Sequence, residues 1–170
     1  MDHIAKGPWT GTLPYMSLDL LPSVSTPPPV HSERFKWESF LYILYWIACH
    51  YDKGEYVKCD ALDDWLDSDS RTLFKTKNTV LTRPDYRLIT AHFVPLAQTW
   101  LFPLRQSFSK GYDARAIHEE EEVLFKRGNP SDFDNETLGG HVTYEKVWKV
   151  FESDEQRTWP LESNLLKREI

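Results

Sequence analysis

Glu33-Arg34-Phe35-Lys36-Trp37-Glu38-Ser39-Phe40-Leu41-Tyr42-Ile43-Leu44-Tyr45-Trp46-Ile47-Ala48-Cys49-His50-Tyr51 is the stretch that decides the fold of this 170-residue chain. Phe35, Trp37, Phe40, Leu41, Ile43, Leu44, Trp46, Ile47 and Ala48 leave little polar face after Ser39. That pattern marks a helix buried nearly all round, not an amphipathic surface helix. Aromatic density at this spacing serves packing first, so the core is expected to be built on residues 33–51. Asp52-Lys53-Gly54-Glu55 then reads as a closing turn, with Gly54 free to adopt a left-handed conformation.

Toward the C-terminus the pattern stays helical. Asp60 is a plausible N-cap for Ala61–Leu66, and Asp69 or Ser70 can cap a further helix that ends before Arg83-Pro84. From about Tyr86 to Phe108 a broad apolar stripe runs through Leu88, Phe93, Leu96, Trp100, Leu104 and Phe108. Pro95 and Pro103 interrupt it, so two helices, one starting near Pro95, and one kinked helix are equally compatible. Ala114–Lys126 is a separate helix capped by Asp113 after Gly111. Asn129–Gly140 reads as an exposed or disordered polar connector. A last helix over Tyr144–Glu152, capped by Thr143, packs back on the body, and the tail from Ser153 is loose. Almost no stretch alternates with period two, so the fold class is mainly α.

Upstream, Tyr15–Leu21 suits a helical turn or two that docks on something larger. Pro22 and Pro27-Pro28-Pro29 end it and favour an extended link. The chain therefore divides into residues 1–32 as segment and link, 33–127 as helical core, and 128–170 as connector, helix and tail.

Composition bounds the function. At 41% hydrophobic and 14% aromatic, one domain can bury roughly two thirds of its unfolded surface. A net charge of -6 argues against nucleic acid, whose backbone is met by clustered Lys and Arg. Cys49 and Cys59 form neither a CxxC pair nor a secreted framework, which fits a reducing, intracellular compartment. The N-terminus lacks the apolar core of a signal peptide. The longest apolar run, Phe40 to Cys49, falls short of the roughly 18 residues of a bilayer span, so no membrane role is expected.

Gly11-Thr12-Leu13-Pro14-Tyr15-Met16-Ser17-Leu18-Asp19 resembles the Gly-Thr-x-x-Tyr/Phe-Met-Ala-Pro-Glu segment that ends a protein kinase activation loop. His31-Ser32-Glu33-Arg34-Phe35-Lys36-Trp37-Glu38-Ser39-Phe40-Leu41-Tyr42-Ile43-Leu44-Tyr45-Trp46-Ile47 resembles the His-x-x-Arg-His-Asp-Leu-Glu-Ser-Phe-Phe-Tyr-Val-Leu-x-Trp helix of the fungal-type protein kinases. The likeness covers residues 9 to 81 well. It implies the C-terminal part of a kinase C-lobe, with Gly11, Thr12 and Tyr15 in the segment that positions an acceptor peptide. It also implies two structural anchors. Asp19 stands for the usual glutamate and would pair with an arginine deeper in the lobe, with Arg83, Arg87 and Arg105 as candidates. Lys36 stands where the family has an aspartate that binds the catalytic-loop backbone, and a cation cannot accept those hydrogen bonds.

The family transfers phosphate from ATP with Mg²⁺, using a Gly-rich cover, a strand lysine, a His-Arg-Asp aspartate and a Mg²⁺-holding aspartate. None precedes Gly11, so the expected chain is a truncated lobe with no catalytic residue, no metal ligand and no cofactor site of its own. The alternative is a pseudokinase-like helical interaction module, whose partner is another protein or the missing small lobe. Asp132-Phe133-Asp134 looks like the magnesium motif but lacks its glycine and lies after the peptide-positioning segment. His118 with Glu121 and Glu122 reads as a solvated acidic face.

Overall fold

The computed structural model describes residues 12–21, 32–126 and 132–152. Two 3₁₀ turns, Leu13–Tyr15 and Leu18–Leu20, precede the central helix α1, Glu33–His50. A two-stranded hairpin follows, β1 Tyr51–Asp52 and β2 Glu55–Tyr56, paired antiparallel as Tyr51 with Tyr56 and Asp52 with Glu55. Then come α2, Asp60–Asp67, and α3, Ser70–Thr82. Two further 3₁₀ turns, Tyr86–Leu88 and Ala91–Phe93, lead into α4, Val94–Leu96, a π-helical stretch, Ala97–Leu101, and the long helix α5, Phe102–Phe125. Helix α6 spans Tyr144–Glu152. The described residues are thus mainly helical, as the periodicity implies.

Helix α1 sits at the centre, with Leu41, Tyr42 and Ala48 fully buried. Its burial is not complete. Lys36 and Ile43 are exposed and Phe40, Trp46 and Ile47 half-buried, so one face stays open to solvent. The hairpin turn has Lys53 at φ 50° and Gly54 at φ 87°, two consecutive left-handed residues that match the twist of a tight antiparallel pair. Strands of two residues are too short to show alternation, which is why the sequence signals only the turn.

Local capping follows the sequence closely at α3 and α6. Asp69 accepts the Thr72 N–H at 2.9 Å, and Thr143 Oγ1 accepts that of Lys146 at 3.3 Å. Asp60, by contrast, is the first residue of α2, and Cys59 holds the cap position.

The largest departure concerns residues 86–126. Of the arrangements open for residues 86–108, the structure has a helix starting next to Pro95, at Val94, with only 3₁₀ turns before it, and the break expected between Phe108 and Ala114 does not occur. Gly111 lies inside α5 because a second segment approaches it. A Cβ there would stand 2.6 Å from Leu138 Cβ. The helix accepts a glycine, at a cost of about 1 kcal/mol relative to alanine, and residues 132–142 dock in return. Pro103 falls at the start of α5, directly after the π-helical stretch, where an altered hydrogen-bond register accommodates its missing N–H.

The described part of the connector is consequently ordered. Leu138 is fully buried and Val142 nearly so, while Gly139 N–H donates to Asp134 O at 2.8 Å. Asn129 to Ser131 and the tail from Ser153 lie outside the described residues. Helix α6 closes on the body through Phe151, whose ring lies 6.1, 5.8 and 5.3 Å from those of Trp37, Phe40 and Trp100.

Candidate functional site

The segment Thr12–Leu21 is held against α1, α3 and α5 by three buried polar contacts. The first is Glu38, fully buried on α1. Its carboxylate accepts the Leu18 N–H at 2.9 Å, Tyr42 Oη–H at 2.8 Å, Tyr112 Oη–H at 2.7 Å and the Ser17 hydroxyl. Burial, then the Glu38 charge, pushes the Tyr42 and Tyr112 phenols far up, so both keep their protons and remain donors. Ser17 has no solvent access, which makes its hydroxyl an anchor and not a nucleophile.

The second contact is Asp19. Arg34 donates to it at 2.5 Å from α1, and Arg115 donates two bonds at 2.7 and 2.9 Å from α5. Burial alone would raise the Asp19 carboxyl. The hydrogen bonds and charges of Arg115 and Arg34 outweigh it and hold the group below the usual carboxylate range. Arg34 also donates Nε–H to the Asn135 carbonyl at 2.7 Å and lies 3.9 Å from Glu38. Two arginines therefore face two carboxylates, and the buried cluster balances its charge internally.

The third is Lys77 of α3, fully buried. Its ammonium donates to the carbonyls of Met16 at 2.5 Å and Leu13 at 3.4 Å and lies 4.5 Å from the Tyr42 ring centre. Burial pulls this amine down to about 7, against the charge of Glu38, which raises it.

The sequence-predicted residues fall as follows. Gly11 lies outside the described residues. Thr12 is exposed, and its carbonyl accepts the Tyr15 N–H at 2.9 Å. Tyr15 is half-buried and meets Trp46 edge to face, with ring centres 6.4 Å apart. Asp19 is buried and paired with Arg34 and Arg115, not with any of the three candidates named from sequence. Arg105 donates to the Leu81 carbonyl, Arg87 pairs with Asp85 at 2.8 Å, and Arg83 is exposed. Lys36 is exposed on α1, and the α1 carboxylate that accepts a backbone N–H, that of Leu18, is Glu38, two residues on.

Glu38, Arg34, Lys77, Tyr112 and Arg115 were not evident as a site. No local signal marks Glu38, which stands among Glu33, Arg34, Lys36 and Ser39 at the polar start of the helix.

Beside the clasp, Tyr15, Ile43, Trp46, Ile47 and Tyr51 line an open, almost wholly apolar groove of about 550 Å³. Among the described residues no three His, Cys, Asp or Glu converge to hold a metal ion. Asp134 instead caps its own turn, accepting the N–H groups of Glu136 and Thr137 at 3.0 and 3.2 Å. Among the described residues no helix is long and apolar enough to cross a membrane.

No family model, curated protein or solved structure matches the chain.

Proposed function

We propose that this chain is the C-terminal portion of the helical lobe of a fungal-type protein kinase-like fold, presenting an acceptor peptide along Thr12–Tyr15. In that family the phosphoryl group comes from ATP with Mg²⁺, and the groups that bind them are not among these residues. The chain's own work is positional. Glu38 fixes the backbone at Leu18, Lys77 fixes the carbonyls of Leu13 and Met16, and Asp19 closes the segment onto the lobe.

The observation that carries the reading is the Asp19–Arg115 pair, the link from segment to deeper lobe that the resemblance calls for. Titrating the isotope-labelled chain with mixed Ser/Thr peptides should shift the amide signals of Thr12, Leu13 and Tyr15. Silence there overturns the proposal. In a parallel assay with labelled ATP, Mg²⁺ and the same peptides, the chain alone incorporates no label, and robust Mg²⁺-dependent incorporation would contradict a purely positional role.

The apolar groove favours a second reading, a non-catalytic interaction module whose partner seats an apolar side chain against Trp46 and Ile43. Peptide-induced shifts confined to Ile43, Trp46 and Ile47 would select it.

A further inference from the structure

The distal half of α5 packs inward through Tyr112, Arg115 and His118, and its other side carries a face with no packing partner among the described residues. At 100° per residue, Asp113, Ile117, Glu120, Glu121, Val123 and Leu124 fall on one side of the helix. All six are exposed, and Ile117, Val123 and Leu124 keep 57%, 75% and 64% of their surface open. The opposite side holds the inward residues Leu104, Phe108 and Gly111, and Arg115 points to Asp19. A helix exposing three large aliphatic side chains in water has a face fit for association.

We infer that this face docks a lysine- or arginine-rich amphipathic segment of a protein partner, with aliphatic residues on its contact side. Charge selects that occupant. Asp113, Glu120 and Glu121 lie among the aliphatics, and of the exposed described residues of α5 only Lys110 adds a cation to the same side. A second copy of the chain would bring three more carboxylates against these three, on a protein already at net charge -6. An anionic lipid surface or a nucleic acid meets the same repulsion. A cationic helix satisfies both components, burying its aliphatics on Ile117, Val123 and Leu124 while its charges meet the carboxylates. The inference does not depend on the kinase-like reading, because α5 holds the Thr12–Leu21 segment through Tyr112 and Arg115, not through the six residues of this face.

The test uses the full chain and two fluorescein-labelled peptides with leucines at helical spacing, one filled with lysine and one with glutamate. Anisotropy should show salt-sensitive binding of the Lys/Leu peptide and none of the Glu/Leu peptide. The combined Asp113→Lys, Glu120→Lys and Glu121→Lys variant and the Val123→Ser, Leu124→Ser variant should each bind roughly tenfold more weakly. A control with the same charge change at exposed sites elsewhere, Glu33→Lys, Glu55→Lys and Glu152→Lys, should bind as the parent does. Equal weakening in the control, or unchanged binding in the serine variant, overturns the inference. So does a dimer in sedimentation equilibrium that Leu124→Ser dissolves, or equally tight binding to phosphatidylserine vesicles. The two peptides are compared on the unaltered protein, so the first outcome stands whatever the variants do.

Discussion

Asp19 and Arg115 stand 96 positions apart in the chain and meet through two hydrogen bonds, at 2.7 and 2.9 Å. This bidentate pair joins the segment before α1 to the middle of α5. Arg34 completes the clasp from α1 at 2.5 Å, so a single carboxylate ties three parts of the fold together.

Removing that carboxylate should cost far more than removing the outer arginine. Asp19→Ala leaves Arg34, itself 4% exposed, without its closest counter-charge, and the expected loss is about 3–5 kcal/mol. Arg115 is more exposed, and Arg115→Ala should cost about 1–2 kcal/mol. Urea denaturation of both single variants and the double variant measures the coupling, and additive losses would show that the pair does not act as a unit. Because the folded carboxyl titrates below its ordinary value, its stabilisation is complete above about pH 4 and fades as pH falls further. The difference between parent and Asp19→Asn should narrow in that acid range.

Glu38→Gln should release the segment without unfolding α1. The carboxylate has four hydrogen-bond donors, and an amide replaces one acceptor oxygen by a donor that opposes them. Faster hydrogen exchange across Leu13–Leu21, with α1 amides still protected, is the expected result. Uniform exchange across both would mean that Glu38 supports the whole core.

Lys77 gives the stability an alkaline slope. Its folded amine titrates at about 7, below the roughly 10.4 of an unfolded lysine, so between those values the unfolded chain binds more protons. The penalty of burying the charge is complete below pH 7 and disappears above pH 10.4. Stability of the parent measured against Lys77→Met should therefore rise across that window, by up to roughly 1.4 kcal/mol per pH unit. A flat difference would show that the amine keeps its ordinary affinity for the proton.

Gly111→Ala should destabilise despite the better helix propensity of alanine. The added Cβ would meet Leu138 Cβ at 2.6 Å and Leu138 Cδ1 at 3.0 Å. Displacing the docked turn should cost about 1–3 kcal/mol, more than the roughly 1 kcal/mol gained within the helix. Thermal unfolding reads the net loss, and hydrogen exchange should rise over residues 132–142 while α5 stays protected. A stabilised variant would mean that the turn yields without cost.

The helices were legible where their signals are local. The apolar run that builds α1, the Asp69 cap of α3, the Thr143 cap of α6 and the left-handed Gly54 all depend on residues within a few positions, where periodicity and capping act. The candidate site was legible only in part. Asp19 was singled out because the resemblance gives it a partner, but nothing near it in sequence distinguishes Arg115 from Arg83, Arg87 or Arg105.

By itself, then, the sequence determined a mainly helical chain with a central apolar helix and the ends of several of its elements, because those follow from short-range backbone and side-chain preferences. Only the tertiary structure decided that α5 runs unbroken through Gly111, that Glu38 and Lys77 capture the Thr12–Leu21 backbone, and that Asp19 chooses Arg34 and Arg115. Those outcomes depend on which distant segments arrive together. A buried charge takes the partner that packing delivers, and a glycine stays in a helix when another segment needs the space its missing side chain leaves.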